Sequence, residues 1–369
     1  MNKRGNFFKD VDYKLILGIL ALIFYGFLVL SSATKALDTG PRIMRSQKIA
    51  SLIGAFALVV LAAIDYRNWK YLYKIIYIGS CTLLLATVIF GIGPQAGSDI
   101  KSWLKIGPVV FQPSEFVKIA FIICLASYLE EVHEDLNKPL VLIKVLAFAF
   151  FPIFLILRQP DAGTAMVYMF ITIVMLFLAG IHWKYIALAA ILAVIAAPII
   201  WFSLENYQKD RFYDFLNPEA SATGTAWQYI QGRVAIGSGQ FLGKGLYKGS
   251  QTQYGFIPER QNDFIFPVVA EELGFVGGIA LILLYLFILF RMYRISKESI
   301  DYYGSFMVIG IAAMFLFHIF ENIGMTLGVV PITGIPLPFV SAGGTFQLTN
   351  MIMIGLVLSV SGHKNIKYF

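Results

Sequence analysis

Apolar runs of about 17–25 residues, each long enough to cross ~30 Å of hydrocarbon as a helix, recur along the whole chain. The pattern predicts ten spans, at 15–33, 48–64, 72–91, 113–129, 140–157, 162–181, 185–204, 264–290, 304–327 and 345–361. The runs lack the alternation of barrel strands, and backbone in hydrocarbon must satisfy its own hydrogen bonds, so helices are forced. The expected fold class is an all-α polytopic integral membrane protein, a single membrane domain over residues 1–369. The first run, from about Leu15 to Ser32, follows a basic N-terminus but is too long for a signal-peptide core, so it reads as a retained span. One connection, 205–263, is far longer than the rest, and long ordered loops usually carry function.

Composition agrees with the pattern. The chain is 58% hydrophobic and 14% charged, against roughly 45–50% and 25% in soluble domains. A net charge of +7 would suit a nucleic-acid partner if the basic residues were clustered. Instead they divide by side. One set of short segments holds fourteen Lys and Arg, from Lys3, Arg4 and Lys9 through Arg67, Arg291 and Arg294 to Lys364 and Lys367. The opposite short loops hold seven, among them Lys35, Arg42, Arg45 and Arg158. Positive charge marks the cytoplasmic side, so both termini are expected inside and 205–263 outside. Cys81 and Cys124 each lie in an apolar run and read as small buried hydrophobes.

Ionisable residues at membrane depth are costly, which makes each a functional candidate. Glu115 and Lys118, in FQPSEFVK, are three apart on one helical face and able to pair, beside Pro113 at a first helical turn. They form either a functional pair or an ion pair that fixes the span. Asp161, in RQPDAGTA, is a functional residue or a helix cap. Glu259, Arg260 and Asp263 crowd the point where the long loop re-enters the membrane. Asp263 there is either an interfacial cap or a base tuned by partial burial and a nearby cation. Glu271 and Glu272, in the eighth span, read as pairing residues that hold elements together. Residues 328–345, with Pro331, Pro336, Pro338 and four glycines, must form an ordered non-helical loop packed against protein or water.

Two signals are set aside. IGSGQFLGKG resembles a phosphate loop, but Ser238 stands where the first glycine is required. His133, His182, His318 and His363 are scattered without metal-ligand spacing. Acid, base and cation candidates all fall on the side expected to lack ATP and sugar nucleotides. An enzyme there needs a substrate already activated, and a lipid-linked sugar pyrophosphate qualifies.

The same segments resemble the SEDS family (shape, elongation, division and sporulation) over essentially the whole chain. QPSEFVK, QPDAGT, the block from Trp227 to Leu246, FIPERQNDFIF and TGIPLPFVSAGG carry the likeness. The GKG, TQ and FIPE features favour its rod-shape branch. The resemblance implies a peptidoglycan glycosyltransferase of cell elongation and shape, in the bacterial cytoplasmic membrane. Such an enzyme joins lipid II into glycan strands, releases undecaprenyl pyrophosphate and pairs with a class B penicillin-binding protein. By matching motifs, Asp263 corresponds to the family's essential loop aspartate. Glu115, Lys118 and Asp161 correspond to other important polar residues, and Trp103 to an outer-loop tryptophan. A divalent cation, Mg or Mn, is implied by the resemblance alone. The chain departs from the family at Gln261-Asn262, where His-Thr or His-Asn is usual, at Ala342, where Tyr is usual, and at Ser102, often Arg. With no histidine at 261, the base role concentrates on Asp263. Lys118, Arg211 and Arg233 are expected to offset charge on a departing pyrophosphate. The competing class is a lipid II flippase, which would need polar groups along a path through the bilayer; a scaffold for the penicillin-binding protein is a third.

Overall fold

In the computed structural model, residues 10–93, 101–107, 109–203, 206–218 and 225–364 are described. Lys3, Arg4, Lys9, Lys367 and the start of the long loop at 205 lie outside them. Each of the ten expected segments is a helix: α1 (Tyr13–Ala33), α2 (Gly40–Ala63), α3 (Tyr73–Phe90), α4 (Pro113–Val132), α5 (Pro139–Leu157), α6 (Ala162–Leu178), α7 (Trp183–Ser203), then α10 (Ile265–Lys297), α11 (Tyr302–Leu327) and α12 (Gly344–Gly362). Seven of these are long and apolar enough to cross a membrane among the described residues. Of the other three, α4 carries Glu115, Lys118, Glu130 and Glu131, and α6 and the apolar run of α7 are short.

Helix starts follow the local chemistry. Asp12, Asp161 and Asp301 each accept a backbone N–H of the following first turn, and Pro113 and Pro139 open α4 and α5. Gly328, left-handed, ends α11. The bundle centres on α11 and α12, whose apolar windows are 72% and 78% buried, against 22% for α2 and α3. The exposed Leu52, Phe56 and Ile75 on those outer helices suit a lipid-facing surface.

The structure sharpens three details. α2 begins at Gly40, not 48, because Arg42, Arg45 and Lys48 continue the helix past its apolar stretch. The connection 205–263 contains helices: α8 (Asn206–Leu216) and α9 (Thr225–Gly239) precede a helical turn at Ser250–Gln253. A short antiparallel hairpin, β1 (Leu104–Ile106) with β2 (Val109–Phe111), leads into α4. The non-helical segment 328–343 is as expected.

Glu271 and Glu272 do hold elements together, fastening the 244–253 stretch to α10. Glu271 accepts from Lys244 Nζ at 2.8 Å and from the backbone of Gln251 and Thr252, both at 2.9 Å. Glu272 accepts from the Tyr247 and Gly249 amides. α10 breaks beside them at Gly274, with φ 67° and ψ −166°. A Cβ there would sit 2.3 Å from the Gly243 nitrogen. Backbone meets backbone, and only glycine fits. Gly274→Ala should therefore lower the thermal unfolding midpoint of the purified protein by several degrees, since strained φ/ψ alone costs about 1–3 kcal/mol. An unchanged midpoint would mean that the kink relaxes freely.

Candidate functional site

Successive helices reverse direction, so the N-termini of α4, α6, α10 and α12 gather at one end of the bundle with segment 328–343. At this end a cavity of about 1250 Å³ opens between the first turns of α2, the hairpin, α4, α6 and the 333–336 stretch. Trp103, Glu115, Lys118, Asp161 and Asp263 all line it. Residues 160 positions apart in sequence thus share one chamber.

Lys118 is fully buried and 2.9 Å from Glu115 Oε1. Its Nζ also lies 3.3 Å from His318 Nε2, while His318 Nδ1 is 3.0 Å from the Pro336 carbonyl. The other carboxylate oxygen of Glu115, Oε2, has no hydrogen-bond partner among the described residues. Removing one partner of so buried a pair strands the other charge, at a cost of roughly 3–5 kcal/mol. Asp161 is the cap of α6, accepting from Thr164 N at 3.0 Å, and it also accepts from Gln112 Nε2 at 2.9 Å. Capping and cavity lining are not alternatives here. Burial pushes its carboxyl above the usual range, opposed by the Thr164 hydrogen bonds.

The cap position of α10 is Phe264, so Asp263 stands one residue before it. The loop around it is tied to segment 328–343. Asn322 Nδ2, on α11, donates at 2.8 Å both to the Asp263 carbonyl and to the Ile335 carbonyl. Ser341 Oγ donates to the Asn262 carbonyl at 2.5 Å, and the Ala342 amide to Gln261 at 2.7 Å. Burial raises the Asp263 carboxyl to about 7, with the Glu259 charge adding and Arg211 opposing.

Three expected residues do not line the cavity. Glu259 is exposed and accepts from Asn262 Nδ2 at 2.6 Å. Arg211 donates to the Ile332 carbonyl at 3.2 Å, behind the loop. Arg233 is exposed, its guanidinium 5.7 Å from the Tyr229 ring centre. Arg42 and Arg45 on α2 line the cavity instead. Sequence reasoning missed Asn322, weighed His318 only as a metal ligand and gave Gln112 no role of its own. Gln112 lies within a motif already singled out; His318 and Asn322 sit in an apolar span, where a polar side chain is itself a signal.

A bundle of apolar helices with an ionisable chamber at one end defines a multi-pass membrane protein that works at an interface. The family model described as "Cell cycle protein", FtsW/RodA/SpoVE, matches residues 13–366. The chain belongs to this family, the SEDS proteins. It is 36% identical over 358 residues to "Peptidoglycan glycosyltransferase MrdB" of Escherichia coli K12, covering 96% of this chain and 94% of that one. A structure described as "Structural coordination of polymerization and crosslinking by a peptidoglycan synthase complex" superposes with a TM-score of 0.82 at 28% identity, over 96% of this chain and 98% of that one. A mutant of the Thermus thermophilus "Rod shape determining protein RodA" superposes with 0.72 at 26% identity, over 96% and 98%.

The raised Asp263 carboxyl has a signed consequence. Its folded value, about 7, lies above the ~3.9 of an unfolded Asp, so ionisation opposes folding. The penalty is absent below about pH 4, grows towards pH 7 and is complete above it. Asp263→Asn removes it. The thermal midpoint of the variant should gain on that of wild type as pH rises from 5 to 8, and a gap that narrows would contradict the burial argument.

Proposed function

We propose that this chain polymerises lipid II into peptidoglycan strands, with Asp263 as general base, on the outer face of the cytoplasmic membrane. One observation carries it: in a member of this family, a carboxyl poised near neutrality and a buried lysine line the same interfacial chamber. Asp263 takes the proton of the acceptor sugar's 4-hydroxyl as that oxygen attacks the anomeric carbon of the donor. The new C–O bond forms with inversion, and the bond to the polyprenyl pyrophosphate breaks. A carboxyl near pH 7 can both accept this proton and give it up between cycles. Lys118 offsets charge on the leaving pyrophosphate. Arg42 and Arg45, which line the cavity where Arg211 and Arg233 do not, share that task. Trp103 and the apolar wall of α2 contact the substrate's sugars and tails.

The described residues contain no group of three His, Cys, Asp or Glu that could hold a metal ion by itself, so a divalent cation would be held jointly by protein carboxylates and the substrate. Mg²⁺ is ordinarily held by one or two carboxylates plus substrate phosphates, and no step is routed through it. The product strand would pass to a class B penicillin-binding protein for crosslinking, in line with the synthase complex that this fold resembles. Lipid II transport is the weaker reading, because the ionisable residues gather at one end of the bundle.

Purified protein incubated with lipid II in detergent should yield glycan polymer, resolved on a gel. Asp263→Asn should cut the rate by roughly 10²–10⁴, the usual worth of a general base, while remaining monodisperse. Near wild-type yield would move the role to Asp161, the other aspartate that lines the cavity. Sidedness is checked separately. Cysteines at 103, 161 and 263 should react with an impermeant thiol reagent from outside, and those at 294 and 364 only after permeabilisation. Labelling of 263 and 294 from one side ends the orientation.

A further inference from the structure

His318 is 2% exposed, lines the cavity and stacks on Phe346, ring centres 5.1 Å apart. Its two ring nitrogens meet different chemistry. The Pro336 carbonyl can only accept, so Nδ1, 3.0 Å away, carries the hydrogen. The Lys118 ammonium can only donate, so Nε2, 3.3 Å away, must offer a lone pair. One neutral tautomer satisfies both, and a charged imidazolium would set N–H against ammonium. Lys118 has three protons: Glu115 takes one and His318 a second. The third is left for the cavity that Lys118 lines.

We propose that His318 is a positioning residue: by accepting from Lys118 while donating to Pro336, it aims the ammonium at the substrate's pyrophosphate and registers α4 against segment 328–343. This rests on the polymerase reading of the chamber. A residue that merely fills space would tolerate any side chain of similar size; a positioning acceptor would not.

The test compares His318→Gln with His318→Asn in the purified full chain. Gln carries a donor and an acceptor spaced much like the two ring nitrogens. Asn ends near the Nδ1 position, so it can keep the bond to Pro336 but falls short of Lys118. Both variants are checked for monodispersity and thermal midpoint, and Lys118→Met serves as the reference for a lost ammonium. Two quantities are measured: the rate of polymer formation against lipid II concentration, and the rise in thermal midpoint on adding undecaprenyl pyrophosphate. The Gln variant should hold kcat within about threefold of wild type. The Asn variant should lose about tenfold or more in kcat, the worth of one hydrogen bond to a charged group, and most of the ligand-induced rise, approaching Lys118→Met. Equal values for the Gln and Asn variants, whether both high or both low, overturn the proposal. Should wild type form no polymer, the polymerase reading fails, and the pyrophosphate-binding arm still decides the part played by His318.

Discussion

Segment 328–343 is backbone without a helix between two spans, and its N–H and C=O groups need partners that hydrocarbon cannot supply. They find them in side chains from across the bundle. Tyr285 of α10 donates to the Pro338 carbonyl at 2.6 Å, and Gln47 of α2 accepts from the Gly343 amide at 3.1 Å. Asn322 takes up Ile335, His318 takes up Pro336, and Ser341 caps Leu337 from within the segment. α1 comes close enough at Gly26 that a Cβ there would meet the Phe339 carbonyl at 2.2 Å. An unpaired backbone group would cost several kcal/mol in this setting, so each of these residues is held as tightly as the segment itself. A chamber wall made of irregular chain thereby has its carbonyls and amides paired from several helices at once.

The same accounting explains why charge can sit there. Lys118 at full burial would be prohibitive alone. Glu115 supplies the counter-charge and His318 a neutral acceptor, so the ammonium is hydrogen-bonded without being extinguished. Glu115 and Lys118 come from one helical face, three residues apart, which costs little to arrange. Asp161 has a different solution: two bonds from Thr164 and one from Gln112 hold it beside the pair. At Asp263 burial outweighs the backbone hydrogen bonds and the Arg211 charge, and its carboxyl rises accordingly. Strong pairing keeps a group charged; weak pairing tunes it for proton transfer.

What the sequence made legible follows range. Helix positions were readable because length and apolarity act locally, and the starts at Pro113 and Asp161 because caps are local too. The Glu115–Lys118 pair was readable for the same reason. His318 was not, since its partner lies 200 residues away, and a lone histidine on an apolar helix carries no mark of what it will face. Arg211 and Arg233 were read from a segment, 205–263, taken as one loop near Asp263; it folds into helices that leave both outside the cavity lining, with Arg211 on the Ile332 carbonyl and its charge still acting on Asp263. Arg42 and Arg45 were counted only as topology charges, and the early start of α2 brings them to the mouth.

The Asn322 amide joins these threads. One Nδ2 donates to the carbonyl of Asp263 and to that of Ile335, the latter a single residue before the Pro336 carbonyl that fixes His318. The carboxyl that would activate the acceptor and the ammonium that would receive the leaving group therefore share a support less than one helical turn long. Glycosyl transfer by direct displacement needs nucleophile and leaving group in line across one carbon, and effective molarity falls steeply with misplacement. Were base and cation carried on independent elements, every motion of one against the other would spoil that line. Tied to the same short stretch of non-helical backbone, they move together, and the chamber can admit bulky lipid-linked substrates along the α2 wall without losing the geometry of the reacting pair.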